Sequence, residues 1–124
     1  MAEVLVVEDN PVNSRLVESI LQQAGYQVDV AEHGQRAMSM LEKGAYRLVL
    51  MDLNMPIMDG FQTIAAIREH AVFGHIPVIA VTVDTSDGIM TRVREVGFSD
   101  YIAKPYSRKE LIESVRFHLG EMPD

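Results

Sequence analysis

Acidic and basic side chains follow several short apolar segments of this sequence, at positions where chemistry can occur. Asp52 follows the apolar residues 48–51, and runs of the same kind precede Glu8, Asp9 and Lys104. A carboxylate at the end of a buried strand costs several kcal/mol to desolvate unless a cation or hydrogen-bond donors satisfy it. Three carboxylates and one lysine therefore predict a charged site rather than a set of surface turns.

The chemistry that suits this set of side chains is phosphoryl transfer with a hard metal ion. Carboxylate oxygens are the ligands that Mg²⁺ prefers, and Mg²⁺ often bridges to phosphate oxygens. A carboxylate can then attack phosphorus while a lysine neutralises the developing charge. Asp52 is the candidate nucleophile, Asp9 and Glu8 are the candidate metal ligands, and Lys104 is the counter-charge. Thr82, after a fourth apolar run, would donate a hydroxyl hydrogen bond to the same group.

Five short apolar runs alternate with segments of helical periodicity, which predicts the elements that position these residues. The runs are Val4–Val7, Val28–Ala31, Leu48–Met51, Val78–Val81 and Tyr101–Ala103. Strands that alternate with helices pair in parallel through right-handed crossovers. The sequence therefore predicts an α/β fold, a doubly wound five-stranded parallel sheet with helices on both faces. Ligands bind such sheets at the carboxyl ends of the strands, where the candidate residues lie.

The first helix has clear boundary signals. We predict Asn10 as its N-cap and Pro11 as its first residue, and we expect the helix to end at Gly25. Its predicted buried face consists of Val12, Leu16, Val17, Ile20, Leu21 and Ala24.

The other four helices follow from similar signals. Three of them are predicted at Gln35–Lys43 ended by Gly44, Gly60–Glu69 capped by Asp59, and Gly88–Val96 capped by Asp87 and ended by Gly97. The last helix opens with a capping box from Ser107 to Glu110. Its predicted buried face consists of Leu111, Ile112, Val115 and Leu119.

Composition limits the classes of function. The 124 residues suit one domain, and the net charge of −7 argues against direct binding to nucleic acid. No apolar run reaches the roughly 18 residues of a membrane span, and the N-terminus shows no secretory signal. There are no cysteines, which excludes disulfides and thiolate chemistry. We expect a cytoplasmic protein that does not enter a membrane.

Four segments together resemble a known family. They are Val6–Asn10, Met51–Gly60, Ile79–Thr82 and Tyr101–Pro105. In order and spacing they resemble the response regulator receiver domain of two-component signalling, of the chemotaxis-regulator-like or hybrid-kinase type. The resemblance covers nearly the whole chain and implies one receiver domain over residues 1–124, with residues 120–124 as a frayed tail. It also implies the strand order 2-1-3-4-5.

The resemblance implies a phosphorelay function and a role for each site residue. A histidine kinase or a histidine phosphotransfer protein would donate the phosphoryl group to Asp52. Asp9 and Asp52 would ligate Mg²⁺ directly, the main-chain carbonyl of Asn54 would be a third ligand, and Glu8 would act through water. Lys104 would contact the phosphoryl group. The chain would be a signalling phosphoacceptor that catalyses only its own phosphorylation and dephosphorylation.

The resemblance also implies a switch. Thr82 and Tyr101 would form the switch pair, because phosphorylation draws the threonine hydroxyl inward and vacates space for the tyrosine ring. A downstream partner would bind the face formed by the fourth helix, fifth strand and fifth helix. The peptide bond between Lys104 and Pro105 would be cis.

Two residues depart from the family pattern. Val83 stands where the family usually has Ala or Gly, and its branched side chain would crowd the phosphoryl site, which predicts slow hydrolysis of the phosphoaspartate. Asp84 adds a negative charge that would repel anionic donors or orient water. The two effects on phosphorylated lifetime oppose each other.

Other functions remain open from the residues alone. A small Mg²⁺-dependent phosphohydrolase would use Asp52 as its nucleophile, and steady turnover of a phosphomonoester would identify it. A flavodoxin-like cofactor binder would need a phosphate loop after the first strand, where Glu8, Asp9 and Asn10 stand instead. A pseudo-receiver would fold identically and never be phosphorylated.

Several residues also have plain structural interpretations. Asp52 alone could form a turn, and Tyr101 could be an ordinary aromatic at the edge of the core. The methionines near the site are expected to pack the loop and the pocket rim; they are Met51, Met55 and Met58. The histidines lack ligand spacing and are interpreted as surface or helix-end residues; they are His33, His70, His75 and His118.

Overall fold

A computed structural model describes residues 2–53 and 60–120 of the chain. Five strands alternate with five helices. The strands are β1 (Val4–Val7), β2 (Val28–Ala31), β3 (Leu48–Asp52), β4 (Val78–Thr82) and β5 (Asp100–Ala103). The helices are α1 (Pro11–Gln23), α2 (Gly34–Lys43), α3 (Gly60–Glu69), α4 (Asp87–Val96) and α5 (Arg108–His118). Asp52 and Thr82 are thus the last residues of their strands rather than the first residues of the following loops.

The strands form one parallel sheet in the order β2-β1-β3-β4-β5. The predicted fold class and strand order are both confirmed. The order reverses direction between β1 and β3, so the carboxyl ends of these two neighbouring strands flank the crevice where ligands bind doubly wound sheets.

The core has two halves because successive strand residues point to opposite faces of the sheet. One half takes Leu5, Val7, Val49 and Met51, which pack with α2, α3 and α4 residues such as Leu41, Ile64 and Val93. The other takes Val4, Val6, Leu48 and Leu50, which pack with α1 and α5 residues such as Leu21 and Val115. Helices therefore cover both faces of the sheet. The sequence predicts this, because strands that are buried on both faces are apolar at every position.

Helix α1 begins and ends where the sequence predicts, but its buried face is narrower. The Asn10 side chain accepts hydrogen bonds from two main-chain N–H groups of the first turn, and Gly25 has a φ of +100°. The prediction that Val12 and Leu16 are buried is wrong, since they are 72% and 55% exposed. The face of α1 that packs on the sheet repeats every three to four residues through Ser14, Val17 and Leu21. Val12 and Leu16 lie to the side of this face.

Helices α2 and α3 agree with the predictions within one residue. α2 starts at Gly34, one residue early, because the His33 side chain accepts a hydrogen bond from Arg36 N and acts as its N-cap. α3 spans Gly60–Glu69 as predicted. Its predicted cap, Asp59, lies outside the described residues, as do Met55 and Met58.

Helix α4 differs from the prediction at its start, whereas the start of α5 matches it. Asp87 is the first residue of α4 rather than its cap, because Ser86 has the extended backbone of an N-cap residue. Gly97 ends α4 with a φ of +103°. In α5 the Ser107 side chain accepts from Glu110 N at 3.1 Å, and Glu110 Oε1 accepts from Ser107 N at 3.3 Å, so the capping box is confirmed.

Within residues 2–53 and 60–120, no helix combines the length and the hydrophobicity that a membrane crossing requires.

Candidate functional site

Three carboxylates converge at the carboxyl ends of β1 and β3. The two strands are hydrogen-bonded neighbours with Val7 opposite Met51, so the residues that follow lie side by side. Glu8, Asp9 and Asp52 each offer an oxygen within 4.8 Å of the others. Glu8 and Asp52 are buried, whereas Asp9 is exposed. The structure therefore brings together the three acids that the sequence selected.

Lys104 reaches the same cluster from the end of β5. Its Nζ atom lies 3.4 Å from Asp52 Oδ2 and 3.7 Å from Glu8 Oε1. Its main-chain N–H donates to Thr82 O at 2.8 Å, which ties the residue after β5 to the end of β4. The peptide bond that follows, to Pro105, is cis, as the resemblance implies. One ammonium group thus contacts two buried carboxylates.

The acidic cluster carries more negative charge than its lysine balances. Burial and, to a smaller extent, the neighbouring Asp52 carboxylate raise the pKa of Glu8 to about 7. The side chain of Asn13 and the positive charge of Lys104 act in the opposite direction. Glu8 Oε2 is buried and meets no hydrogen-bond partner within the described part of the chain. An all-oxygen cluster with an unpartnered buried oxygen fits a hard divalent cation.

Thr82 lies at the same edge of the sheet, with its hydroxyl engaged in a turn. Its side chain is buried, the hydroxyl donates to Asp84 O at 3.2 Å, and it accepts from Asp84 N at 3.0 Å. Tyr101 lies on the next strand, opposite Ala80, and is 46% exposed. The two residues of the predicted switch pair therefore occupy neighbouring strands, one buried and one at the surface.

Two residues near the site were not selected from the sequence. Tyr106 shares a small cavity with Glu8, Asp52 and Lys104; burial raises its phenol pKa, and the two carboxylates raise it further. Asn13, in the first turn of α1, forms a side-chain hydrogen bond with Glu8. The only sequence signal for Tyr106 and Asn13 was that each lies close in the chain to a motif of the site. That closeness does not distinguish them from other residues near the motifs.

Asn54, whose main-chain carbonyl is the third metal ligand implied by the resemblance, lies outside the described residues.

Val83 is 67% exposed and lines a groove with Lys104 and Tyr106, beside the exposed Leu16 of α1. Val83 thus lies near the lysine, and its effect on the lifetime of the phosphoaspartate stays a prediction.

Comparison with known proteins identifies the family. The model of the response regulator receiver domain matches residues 4–116, and the chain belongs to this family. The chain is 35% identical over 130 residues to hybrid signal transduction histidine kinase B of Dictyostelium discoideum, covering 95% of this chain and 7% of that protein. It is 32% identical over 118 residues to the polar-differentiation response regulator DivK of Brucella anthropi, covering 95% of this chain and 96% of that protein.

A solved structure gives the same assignment. The receiver domain of the sensor histidine kinase PA1611 from Pseudomonas aeruginosa PAO1 matches with a TM-score of 0.89 and 34% identity. The match covers 97% of this chain and 98% of that one, and that structure has a magnesium ion coordinated in its active-site cleft.

The chain is a receiver domain of two-component signalling, a class whose members take phosphoryl groups from histidine kinases. The phosphohydrolase alternative is not favoured. Since the chain spans only 7% of the hybrid kinase but almost all of DivK, the comparisons include both a large multidomain protein and a regulator of similar length.

Proposed function

We propose that Asp52 accepts a phosphoryl group from a phosphohistidine of a histidine kinase or a histidine phosphotransfer protein. The observation that carries this proposal is the contact of Lys104 Nζ with Asp52 Oδ2 at 3.4 Å, inside a cluster of three carboxylates. A buried carboxylate beside a lysine and two further acids is arranged for a reaction at phosphorus rather than for stability, because isolated carboxylates are costly to bury.

The transfer exchanges one bond at phosphorus for another. An Asp52 oxygen attacks phosphorus, the phosphorus–nitrogen bond to the donor imidazole breaks, and the imidazole nitrogen keeps the electron pair and takes a proton. Lys104 balances the negative charge on the phosphoryl oxygens, after leaving part of its contact with the carboxylates. We propose a signalling phosphoacceptor that catalyses only its own phosphorylation and dephosphorylation, rather than an enzyme with its own product.

Asp9 and Asp52 are proposed to hold Mg²⁺ directly, with Glu8 acting through water and the Asn54 carbonyl as the further ligand that the resemblance implies. Glu8 Oε2 has no hydrogen-bond partner among the described residues, which supports a cation at this position. A bound Mg²⁺ would neutralise charge on the phosphoryl oxygens during transfer. Glu8 and Asp9 position that charge beside Asp52 without contributing an attacking atom.

Phosphorylation is proposed to act on a protein partner through Thr82 and Tyr101. The surface formed by α4, β5 and α5 carries two exposed aromatic side chains, Tyr101 and Phe117, 46% and 71% exposed. A groove along β5 and α5 adds the carboxylates of Asp100, Glu110 and Glu113. Exposed aromatic groups favour protein contacts, so this is the proposed partner surface.

The whole chain, residues 1–124, is proposed to act as one receiver domain in the cytoplasm. The family match over residues 4–116 supports the single domain. The location follows from the proposed donor, because a phosphohistidine formed from ATP is a cytoplasmic species. No direct contact with nucleic acid or membrane is proposed.

The test is intact-mass measurement after incubation with acetyl phosphate and Mg²⁺. Wild-type protein should gain one phosphoryl group, and the Asp52→Asn variant should gain none because the amide is a poor nucleophile. Undiminished labelling of the variant would contradict the assignment of Asp52. Steady release of phosphate from a phosphomonoester, in place of single-equivalent labelling, would favour a hydrolase instead.

A further inference from the structure

The Thr82 hydroxyl has both of its hydrogen-bonding roles taken by one residue. It donates to Asp84 O at 3.2 Å and accepts from Asp84 N at 3.0 Å. A hydroxyl has a single hydrogen to donate. To donate to a phosphoryl oxygen on Asp52, Thr82 must therefore first give up its bond to the Asp84 carbonyl.

The Asp84 side chain fixes the turn that presents that carbonyl. Its Oδ1 accepts a hydrogen bond from Ser86 N at 3.0 Å, and hydrogen bonds from Ser86 lower the pKa of Asp84. Ser86 is the N-cap residue of α4 but makes no capping bond with its own side chain. Residues 83–88 are exposed, so hydrogen bonds rather than packing hold the turn.

We propose that Asp84 is a positioning residue for the switch, because it holds the Thr82–Ser86 turn in the form that occupies the Thr82 hydroxyl. The inference rests on the proposed phosphorylation of Asp52 and adds a competing acceptor to it. In the unphosphorylated protein the hydroxyl bonds to Asp84, and in the phosphorylated protein it bonds to the phosphoryl group. The balance between the two forms depends on how firmly the Asp84 carboxylate holds Ser86 N.

The Asp84→Ala variant should release the turn. Ser86 N loses its acceptor, the Asp84 carbonyl is held less firmly, and donation by Thr82 to a phosphoryl group becomes easier. One intramolecular hydrogen bond has a modest net value, so binding of a phosphoryl analogue should tighten by roughly two- to tenfold. The variant should keep its fold because Asp84 is exposed, which a thermal melt would verify.

Beryllofluoride in the presence of Mg²⁺ is the probe, because it binds an aspartate carboxylate in place of a phosphoryl group and gives an equilibrium affinity. Asp84→Asn is the matched control, since it removes the charge but keeps an oxygen that can accept from Ser86 N. We expect the affinity of Asp84→Asn to stay within about twofold of wild type, well below the change in Asp84→Ala.

The same substitution in a Thr82→Val background distinguishes an effect of the turn from a general effect of charge. In the Thr82→Val background the hydroxyl is absent, so adding Asp84→Ala should change the affinity by less than about twofold. Equal tightening in Asp84→Ala and Asp84→Asn would assign the effect to charge and overturn the proposal. An unchanged affinity in Asp84→Ala, or an effect that persists in the Thr82→Val background, would overturn it too.

Failure of the proposed function would look different. If wild-type protein is not labelled by acetyl phosphate, or if Asp52→Asn still binds beryllofluoride, the Asp52 assignment fails and this inference falls with it. If wild type is labelled at Asp52 and only the Asp84 comparison fails, the receiver function stands and the role of the turn is refuted.

Discussion

At the scale of single residues, the ammonium group of Lys104 has two opposing effects on the acidic site. It lies within 3.7 Å of both Glu8 and Asp52, so it stabilises their charges when no cation is bound. The same positive charge repels a metal ion that approaches those carboxylates. We therefore expect Lys104 to favour a bound phosphoryl group and to disfavour a bound metal ion.

Replacement of Lys104 by Met should separate these two effects. We expect Mg²⁺ to bind a few-fold more tightly, because a nearby like charge is removed. Phosphorylation by acetyl phosphate should slow by roughly tenfold or more, because the phosphoryl oxygens lose their counter-charge. Calorimetric Mg²⁺ titration and intact-mass kinetics measure the two quantities.

The matched control is Lys43→Met, at the last turn of α2, which should change neither quantity. Weaker Mg²⁺ binding in Lys104→Met would contradict the assignment of opposing effects.

Val83 provides a second prediction at this scale. It is 67% exposed and lines the groove beside Lys104, where a branched side chain can hinder water that attacks the phosphoaspartate. The phosphorylated Val83→Ala variant should decay faster than phosphorylated wild type in intact-mass time courses. Val72→Ala, at an 86% exposed valine on the α3–β4 connection, is the control and should not change the decay. Equal lifetimes for Val83→Ala and wild type would remove the idea of crowding.

At the scale of elements, Arg68 joins the end of α3 to the loops around β4 and β5. Its Nε donates to Gly97 O at 2.9 Å, and its Nη1 donates to Gly74 O at 3.1 Å and to Ile76 O at 2.6 Å. A carbonyl that loses a charged donor in a partly buried position is left without its partner. One side chain thus makes two hydrogen bonds within the α3–β4 connection and one to the α4–β5 connection.

The Arg68→Met variant should lose about 3 kcal/mol of unfolding free energy, measured by urea denaturation. The control Lys109→Met removes only the exposed pair with Glu113, at 3.8 Å, and should change it by less than about 0.5 kcal/mol. Similar losses in both variants would show that the Arg68 hydrogen bonds do not carry the effect.

Elements whose signals are local could be predicted from the sequence. Asn10 and the Ser107–Glu110 box each satisfy main-chain N–H groups of the next turn, so a few adjacent residues determine the helix start. The start of α4 was misplaced because Asp84, Ser86 and Asp87 all suit a cap by type. The backbone conformation of the turn, held by Thr82 and Asp84, decides that Ser86 is the N-cap residue.

At the scale of the whole molecule, the Tyr46–Asp29 contact couples stability to alkaline pH. The Tyr46 hydroxyl donates to Asp29 Oδ2 at 2.6 Å and links β2 to the connection between α2 and β3. Burial, followed by the hydrogen bond and charge of Asp29, raises the pKa of Tyr46 from 10.0 to about 12. The folded state therefore holds this proton more tightly than the unfolded state.

The sign of the pH effect follows from that difference. The stabilisation is fully present below pH 10.0 and is lost as the pH rises to about 12, because the unfolded chain releases its proton first. Tyr46→Phe should be less stable than wild type at neutral pH and should lose less stability across this window. Urea denaturation at several pH values measures both.

A remaining loss is expected in the variant, because burial also raises the pKa of Tyr106. Parallel curves for Tyr46→Phe and wild type between the two pH limits would contradict the role of Tyr46.

The sequence by itself determined the order of strands and helices, the sheet ends that carry Glu8, Asp9, Asp52 and Lys104, and the family. These features depend on apolar runs and on motifs whose residues are close together in the chain. A parallel sheet then aligns all strand ends at one edge, so the composition of the site follows from the topology.

Only the tertiary structure decided how those residues share the site. The 3.4 Å contact of Lys104 with Asp52 and the proximity of Tyr106 join different strands and loops. The burial of a Glu8 oxygen without a partner in residues 2–53 and 60–120 also depends on how these segments pack. The exposure of Val12 and Leu16 likewise depends on which side of α1 the sheet covers. Distances and burial between segments far apart in sequence arise from packing, which local propensity and motif spacing do not specify.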